Sequence, residues 1–217
     1  MKKLSTVLAL FLLLSLQACS KESSSEQSAP PSKWKEGTHY QIISDTASEQ
    51  PEVLEFFSFW CPHCYNFEPI VEQIKLKIDK DVTFKKVHVN FMRFTSPQVQ
   101  DAATKALLIG RTMDKEEEMN SAIFSYIHLQ RQLITGIPEL RNIFLAKGID
   151  SDEFDKMESS FQINNLLKQN NQTIETYREH LSGVPNFIVN GKYQAQVVEG
   201  MTRDDIAELV VWLSKQN

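Results

Sequence analysis

The 217-residue sequence predicts an α/β domain interrupted by a helical insertion, on three observations. A near-continuous apolar run at residues 51–60 leads into a helix-starting segment and then a second strand-like run at 82–91, the pattern of a parallel β-α-β unit. Apolar residues then recur only at helical spacing for roughly 80 residues. Strand character returns at 186–193 around Asn190-Gly191, ahead of one last helix.

Taken in order, the chain opens with Lys2 and Lys3, an apolar run at 8–14, and Leu16-Gln17-Ala18-Cys19. The run is too short to cross a bilayer and has the layout of an export signal. It resembles a bacterial lipoprotein signal, residues 1–18, after which Cys19 becomes the lipidated first residue; an ordinary cleaved signal is the alternative. Residues 19–33 are rich in Ser, Glu and Pro and lack side chains that burial would order, so they read as a flexible tether. From about Trp34 onward the length and apolar content suffice for one domain with its own core. Without Lys2 and Lys3 the 23 basic residues become 21 against 28 acidic, a balance that argues against nucleic acid as a partner.

Residues 51–60 suit a central strand covered on both faces. A helix over 62–78 serves as the crossover, with Pro62 at its first position, where the missing N–H loses no partner. Val99, Ala102, Ala103, Ala106 and Leu107 share one helical face, and Met119, Ala122, Ile123, Tyr126 and Ile127 another. Further helices are expected from Pro138 to near Gly148, over 152–157 and over 162–177. Asn190-Gly191 signals a hairpin, and Thr202-Arg203-Asp204-Asp205 a capping box for a helix burying Ile206, Leu209, Val210 and Leu213. The order of elements is that of a thioredoxin-like α/β fold with an inserted helical domain: first part 34–96, insertion 97–180, second part 181–217.

Chemistry concentrates at Cys61-Pro62-His63-Cys64. With Cys19 assigned to lipid, these are the remaining two of the three cysteines, and a pair this close gains little stability by closing a loop. A redox role accounts for it better than stapling. Cys61 at a helix N-terminus would be favoured as thiolate by unpaired N–H groups and the helix dipole, and His63 could add a donor or a positive charge. Cys64, more enclosed, would be the resolving thiol. Zinc is the alternative, but it needs more ligands than the pair supplies, drawn from His88 or His180; no metal is expected.

Glu55 shares a strand face with Val53, Phe57 and Phe59 and so should point inward, where a carboxylate needs a partner or a proton. Lys86 is the candidate partner. A solvent-facing Glu55 and a solvated Lys86 are the simpler alternatives. Pro185 stands where a strand would begin, and base rates favour a trans bond there.

Three blocks of sequence together resemble the DsbA family of periplasmic thiol:disulfide oxidoreductases over essentially all of 34–217. They are Val53-Leu54-Glu55-Phe56-Phe57-Ser58-Phe59-Trp60-Cys61-Pro62-His63-Cys64-Tyr65, then Lys86-Val87-His88-Val89-Asn90-Phe91, then Gly183-Val184-Pro185 with Val189-Asn190-Gly191-Lys192-Tyr193. The resemblance implies that Cys61 attacks and bears the substrate, that Cys64 resolves, and that Glu55 and Lys86 form a buried charged pair beneath them. It also implies a cis Pro185 facing the pair, with His63 and the backbone of Val184 meeting the substrate peptide. Two departures stand out: Trp60 where the best-known members have Phe, and a tether through Cys19. Ser20 lacks the aspartate associated with inner-membrane retention, which favours an outer-membrane anchor.

The function so implied is protein thiol oxidation in the bacterial envelope, by a monomer that passes the Cys61–Cys64 disulfide to reduced, unfolded or partly folded proteins. No cofactor beyond that disulfide is expected. A quinone-linked, DsbB-like membrane oxidase would restore it. A disulfide isomerase or reductase would use the same cysteines but be kept reduced, and known isomerases dimerise through an extra domain absent here. A peptide-binding holdase, with incidental cysteines, is the remaining alternative.

Overall fold

The structure is a computed structural model that describes residues 32–216. The expectations for the signal and for Cys19, and those for most of the tether, fall outside the described residues. Among the described residues no helix is long and apolar enough to cross a membrane.

The core is a five-stranded sheet. Its strands are β1 (Tyr40–Ile42), β2 (Glu52–Phe57), β3 (Thr83–His88), β4 (Asn186–Val189) and β5 (Tyr193–Ala195), in the order β1-β5-β4-β2-β3. β2 pairs parallel with β3 and antiparallel with β4, while β4–β5 and β1–β5 are antiparallel. The parallel pair needs a crossover, and α1 (Pro62–Lys77) supplies it, running on through Pro69. The hairpin β4–β5 turns at Asn190 (φ 51°) and Gly191 (φ 62°), closed by the Lys192 N–H on the Val189 carbonyl at 3.1 Å. Consecutive positive φ angles match strand twist and suit Asn-Gly.

Between β3 and β4 lie α2 (Pro97–Thr112), α3 (Glu116–His128), α4 (Ile137–Ala146), α5 (Ser151–Glu158), α6 (Phe161–Tyr177) and a 3-10 turn at Arg178–His180. Side chains of Ser96, Asp150 and Ser160 cap α2, α5 and α6. The last helix, α7 (Arg203–Leu213), starts at the Thr202–Asp205 capping box, with reciprocal bonds of 2.9 and 3.1 Å. This is the thioredoxin-like α/β core with a helical insertion that the order of elements predicts.

Alternation along β2 decides what lies where. Val53 packs with α1 and α7, Leu54 and Phe56 with α6, and Phe57 with the core of the insertion. Both strand runs prove shorter than their apolar stretch. β2 stops at Phe57 because the chain turns, the Cys61 N–H reaching back to the Ser58 carbonyl at 3.0 Å. Strand β1 has no expectation behind it. It is three residues with one exposed apolar side chain, Ile42, and too short to show a period.

Candidate active site

The turn after β2 delivers Cys61 to the N-cap of α1, where its Sγ accepts the Cys64 N–H at 3.4 Å. Both cysteines are buried and unbridged in this structure. A hydrogen bond from the Cys64 thiol is the chief influence on Cys61; burial opposes it, and the Cys64 and His63 backbones and the His63 charge assist. Together they lower the Cys61 thiol from the ordinary 9.0 to about 6. Cys64 goes the other way: burial first, then the bond to Cys61, push its thiol far above the ordinary value, against a hydrogen bond from the Ser58 backbone. One sulfur is poised as thiolate and its neighbour as thiol. Pro62 and His63 are exposed at the mouth.

Opposite lies the loop before β4. Its Val184–Pro185 bond is cis, not the trans form that base rates favour. The Val184 carbonyl, expected to be free for substrate, accepts from Cys61 Sγ at 3.4 Å. Once Cys61 gives up its proton it can no longer donate there, so the carbonyl is released by the same event that creates the thiolate.

Below the pair, Glu55 and Lys86 face each other across the β2–β3 register. Lys86 Nζ donates to Glu55 Oε2 at 2.6 Å and to Glu68 Oε1 at 2.8 Å, and it lies 4.5 Å from the Phe57 ring centroid. Neither side chain is solvated, which excludes the simpler alternatives for both. Burial opposes charge on Lys86, but the two carboxylates outweigh it and hold the ammonium above its ordinary value. Burial raises the Glu55 carboxyl, against the pull of Lys86. The charge of Glu55 in turn contributes to raising Cys64. Glu55 Oε1 has no partner among the described atoms, so one oxygen remains open to carry a proton.

Sequence reasoning did not single out Glu68, Asn120 or His128. Glu68 sits one helical turn beyond Cys64 and borders a cleft of about 310 Å3 with Tyr65, Lys75, Lys86 and Asn120. The buried Asn120 of α3 donates to its Oε2. The spacing Cys64 to Glu68 is a signal available in the sequence; the approach of Asn120 across 52 residues is not.

The two histidines weighed as zinc ligands are placed apart. His88 is fully buried among the rings of Phe57, Phe59 and Trp60, its Nδ1 2.8 Å from Thr104 Oγ1. Burial, aided by Lys86, depresses it to about 3 and keeps it neutral. His180 lies on the 3-10 turn, its backbone carbonyl accepting from Gln194. Among the described residues no group of three or more His, Cys, Asp or Glu is arranged to hold a metal.

A thioredoxin-like sheet presenting an asymmetric cysteine pair at a helix N-terminus defines a thiol:disulfide oxidoreductase whose redox group is the pair itself. Residues 52–210 match the DSBA-like thioredoxin domain, and the chain belongs to the DsbA family. It is 36% identical over 176 residues to the thiol:disulfide interchange protein DsbA of Haemophilus influenzae, covering 80% of this chain and 82% of that one. For the DsbA of Escherichia coli K12 the identity is 32% over 170 residues, with coverages of 77% and 79%. Among solved structures, Pseudomonas aeruginosa DsbA superimposes with a TM-score of 0.72 at 25% identity, over 84% of this chain and 93% of that one. Klebsiella pneumoniae DsbA gives 0.74 at 24% identity, over 86% and 100%, a likeness of fold.

Proposed function

We propose that this chain is a protein thiol oxidase that donates the Cys61–Cys64 disulfide to reduced, unfolded or partly folded proteins in the bacterial cell envelope. The observation that carries the reading is the split between the two thiols, Cys61 lowered to about 6 and Cys64 raised. A substrate thiolate attacks Cys61 Sγ, the Cys61–Cys64 bond breaks, and Cys64 leaves with the electron pair. Because Cys64 favours its thiol form, it takes up a proton, and Glu55, a buried carboxyl raised above its ordinary value whose charge acts on Cys64, is the donor in this reading. A second substrate thiolate attacks the substrate sulfur of the mixed disulfide and expels Cys61 as a stable thiolate. The substrate loses two electrons and the enzyme gains them. A low leaving-group pKa speeds this last step and favours the reduced enzyme, so oxidation of substrate runs downhill.

Val184 and Pro185, beside Cys61 Sγ, are the substrate-facing backbone in this reading, with the released Val184 carbonyl available to an extended peptide. A quinone-linked, DsbB-like membrane oxidase takes the electrons onward, and the enzyme works as a monomer. Cys19 carries a lipid that holds it on the periplasmic side of a membrane, the outer one favoured by Ser20, with residues 19–33 as tether and 34–96, 97–180 and 181–217 as the parts of the domain. The test is oxidation of a reduced model protein by the intact chain. Cys61→Ser is expected to abolish it, and the pair is expected to be oxidised in cells; a pair held reduced in cells would assign isomerase or reductase activity instead. Fatty-acid labelling that depends on Cys19 checks the anchor.

A further inference from the structure

We infer that His128, the last residue of α3, is a positioning residue that clamps the Cys61–Cys64 segment from both sides. It deepens the reading of Cys61 as the substrate-linked sulfur that leaves as a stable thiolate, and rests on it. His128 Nε2 lies 2.8 Å from the carbonyl oxygen of Phe59, two residues before Cys61. The same imidazole stacks on Tyr65, the residue after Cys64, with centroids 5.0 Å apart and planes at 9°. Phe124 backs the ring at 5.9 Å. One side chain of the insertion therefore touches the chain immediately upstream and immediately downstream of the redox segment, across 69 residues of sequence.

A carbonyl only accepts, so the geometry assigns the proton to Nε2. Phe59 is fully buried, and its carbonyl, two residues before Cys61, is the acceptor that His128 holds. The bond to His128 fixes the orientation of that peptide. The next peptide is fixed as well: the Trp60 N–H reaches Ser58 Oγ at 3.3 Å and the Cys61 N–H the Ser58 carbonyl at 3.0 Å. Tyr65 closes the other side, its N–H on the Cys61 carbonyl at 3.1 Å. The clamp keeps the Cys64 N–H aimed at Cys61 Sγ, so it acts on thiolate stability through the backbone, without touching substrate.

Donor and ring are separable by substitution. His128→Phe keeps a ring for Tyr65 but has no donor; His128→Asn has a donor too short to reach; His128→Gln places an amide N–H near the position of Nε2. In the intact chain, Cys61 ionisation is followed by ultraviolet thiolate absorbance against pH, and the redox poise by equilibration with glutathione. His128→Phe and His128→Asn are expected to raise the Cys61 pKa by about one unit and to move the glutathione equilibrium about tenfold toward the disulfide. His128→Gln is expected to stay within about twofold of the parent, less than the factor of ten that one pKa unit represents. If His128→Phe does not fold, His128→Asn carries the same comparison. Parent-like titration in the donor-less variants, or a folded His128→Gln as altered as they are, overturns the clamp alone. A parent whose Cys61 titrates as an ordinary thiol, or whose activity survives Cys61→Ser, overturns the reading of the site and the clamp with it.

Discussion

Two chemically identical thiols three residues apart have opposite proton affinities because one caps a helix and the other is enclosed behind it. Cys61 meets N–H donors and the thiol of Cys64, whereas burial dominates at Cys64. The lowered Cys61 pKa makes stability depend on pH. Above the unfolded value near 9.0 the folded thiolate contributes in full; as pH falls through about 6 both states hold the proton and the contribution vanishes. Urea unfolding of the dithiol enzyme should therefore show an advantage over Cys61→Ser that grows as pH rises across this window and is absent below it. A pH-independent difference would contradict the shift. Glu55 gives the second residue-scale prediction. Glu55→Gln should fold and yet change the pH–rate profile of thiol exchange, since in the proposed mechanism the raised Glu55 carboxyl supplies the proton to Cys64; a profile superimposable on the parent's removes Glu55 from the mechanism.

Edge strand β3 is completed by helices rather than by another strand. Its Lys86 carbonyl accepts from Arg111 of α2 at 3.0 Å and its His88 carbonyl from Asn170 of α6 at 2.9 Å. Those bonds satisfy backbone groups that an open edge would expose to another chain. The insertion is thus a lid on the sheet edge as well as the source of Asn120 and His128. Its own packing is close where α2 meets α3. A Cβ added at Gly110 would lie 3.0 Å from the Cβ of the fully buried Met119, which would have to give by a few tenths of an ångström. Gly110→Ala should destabilise by about 1–3 kcal/mol, an overpacking cost exceeding the helix-propensity gain of up to about 1 kcal/mol. Thermal or urea unfolding measures it, and a stabilised variant would mean that α3 moves freely. The helices themselves were legible, because Ala103, Ala106 and Leu107, or Met119 and Ile123, repeat at helical spacing and are all buried. Which helix supplies a hydrogen bond to β3 was not, since Arg111 and Asn170 resemble any other polar residue of a helix.

At the scale of the whole molecule, residues far apart in sequence complete one another. Asn190 at the hairpin accepts the Glu52 N–H at the start of β2 and donates to the Gln216 carbonyl near the C-terminus. The carbonyl of Val184 meets the Cys61 sulfur across 123 residues. Global unfolding should also report His88, enclosed where β3, the Cys61 loop and α2 meet. Burial lowers it from 6.5 to about 3, so between those values the unfolded chain binds a proton that the folded chain does not. Stability accordingly falls as pH drops through that window, by up to about 1.4 kcal/mol per unit for this one group. His88→Gln should lose one proton's worth of that slope; an unchanged slope would place the acid sensitivity elsewhere.

What the sequence determined by itself is the local grammar and the identity of the reactive pair. Apolar periodicity, caps such as Thr202–Asp205 and the Asn190-Gly191 turn act over a few residues, and Cys61-Pro62-His63-Cys64 after an apolar strand carries its own electrostatic logic. An inward Glu55 followed from strand alternation. The tertiary structure alone decided which groups share its burial. The Lys86–Glu68–Asn120 chain, the Val184 carbonyl on Cys61 and the His128 bond to Phe59 join segments 18 to 123 residues apart. Desolvation and hydrogen bonding act through space, so the proton affinities that make Cys61 and Cys64 unlike each other exist only once the chain has folded.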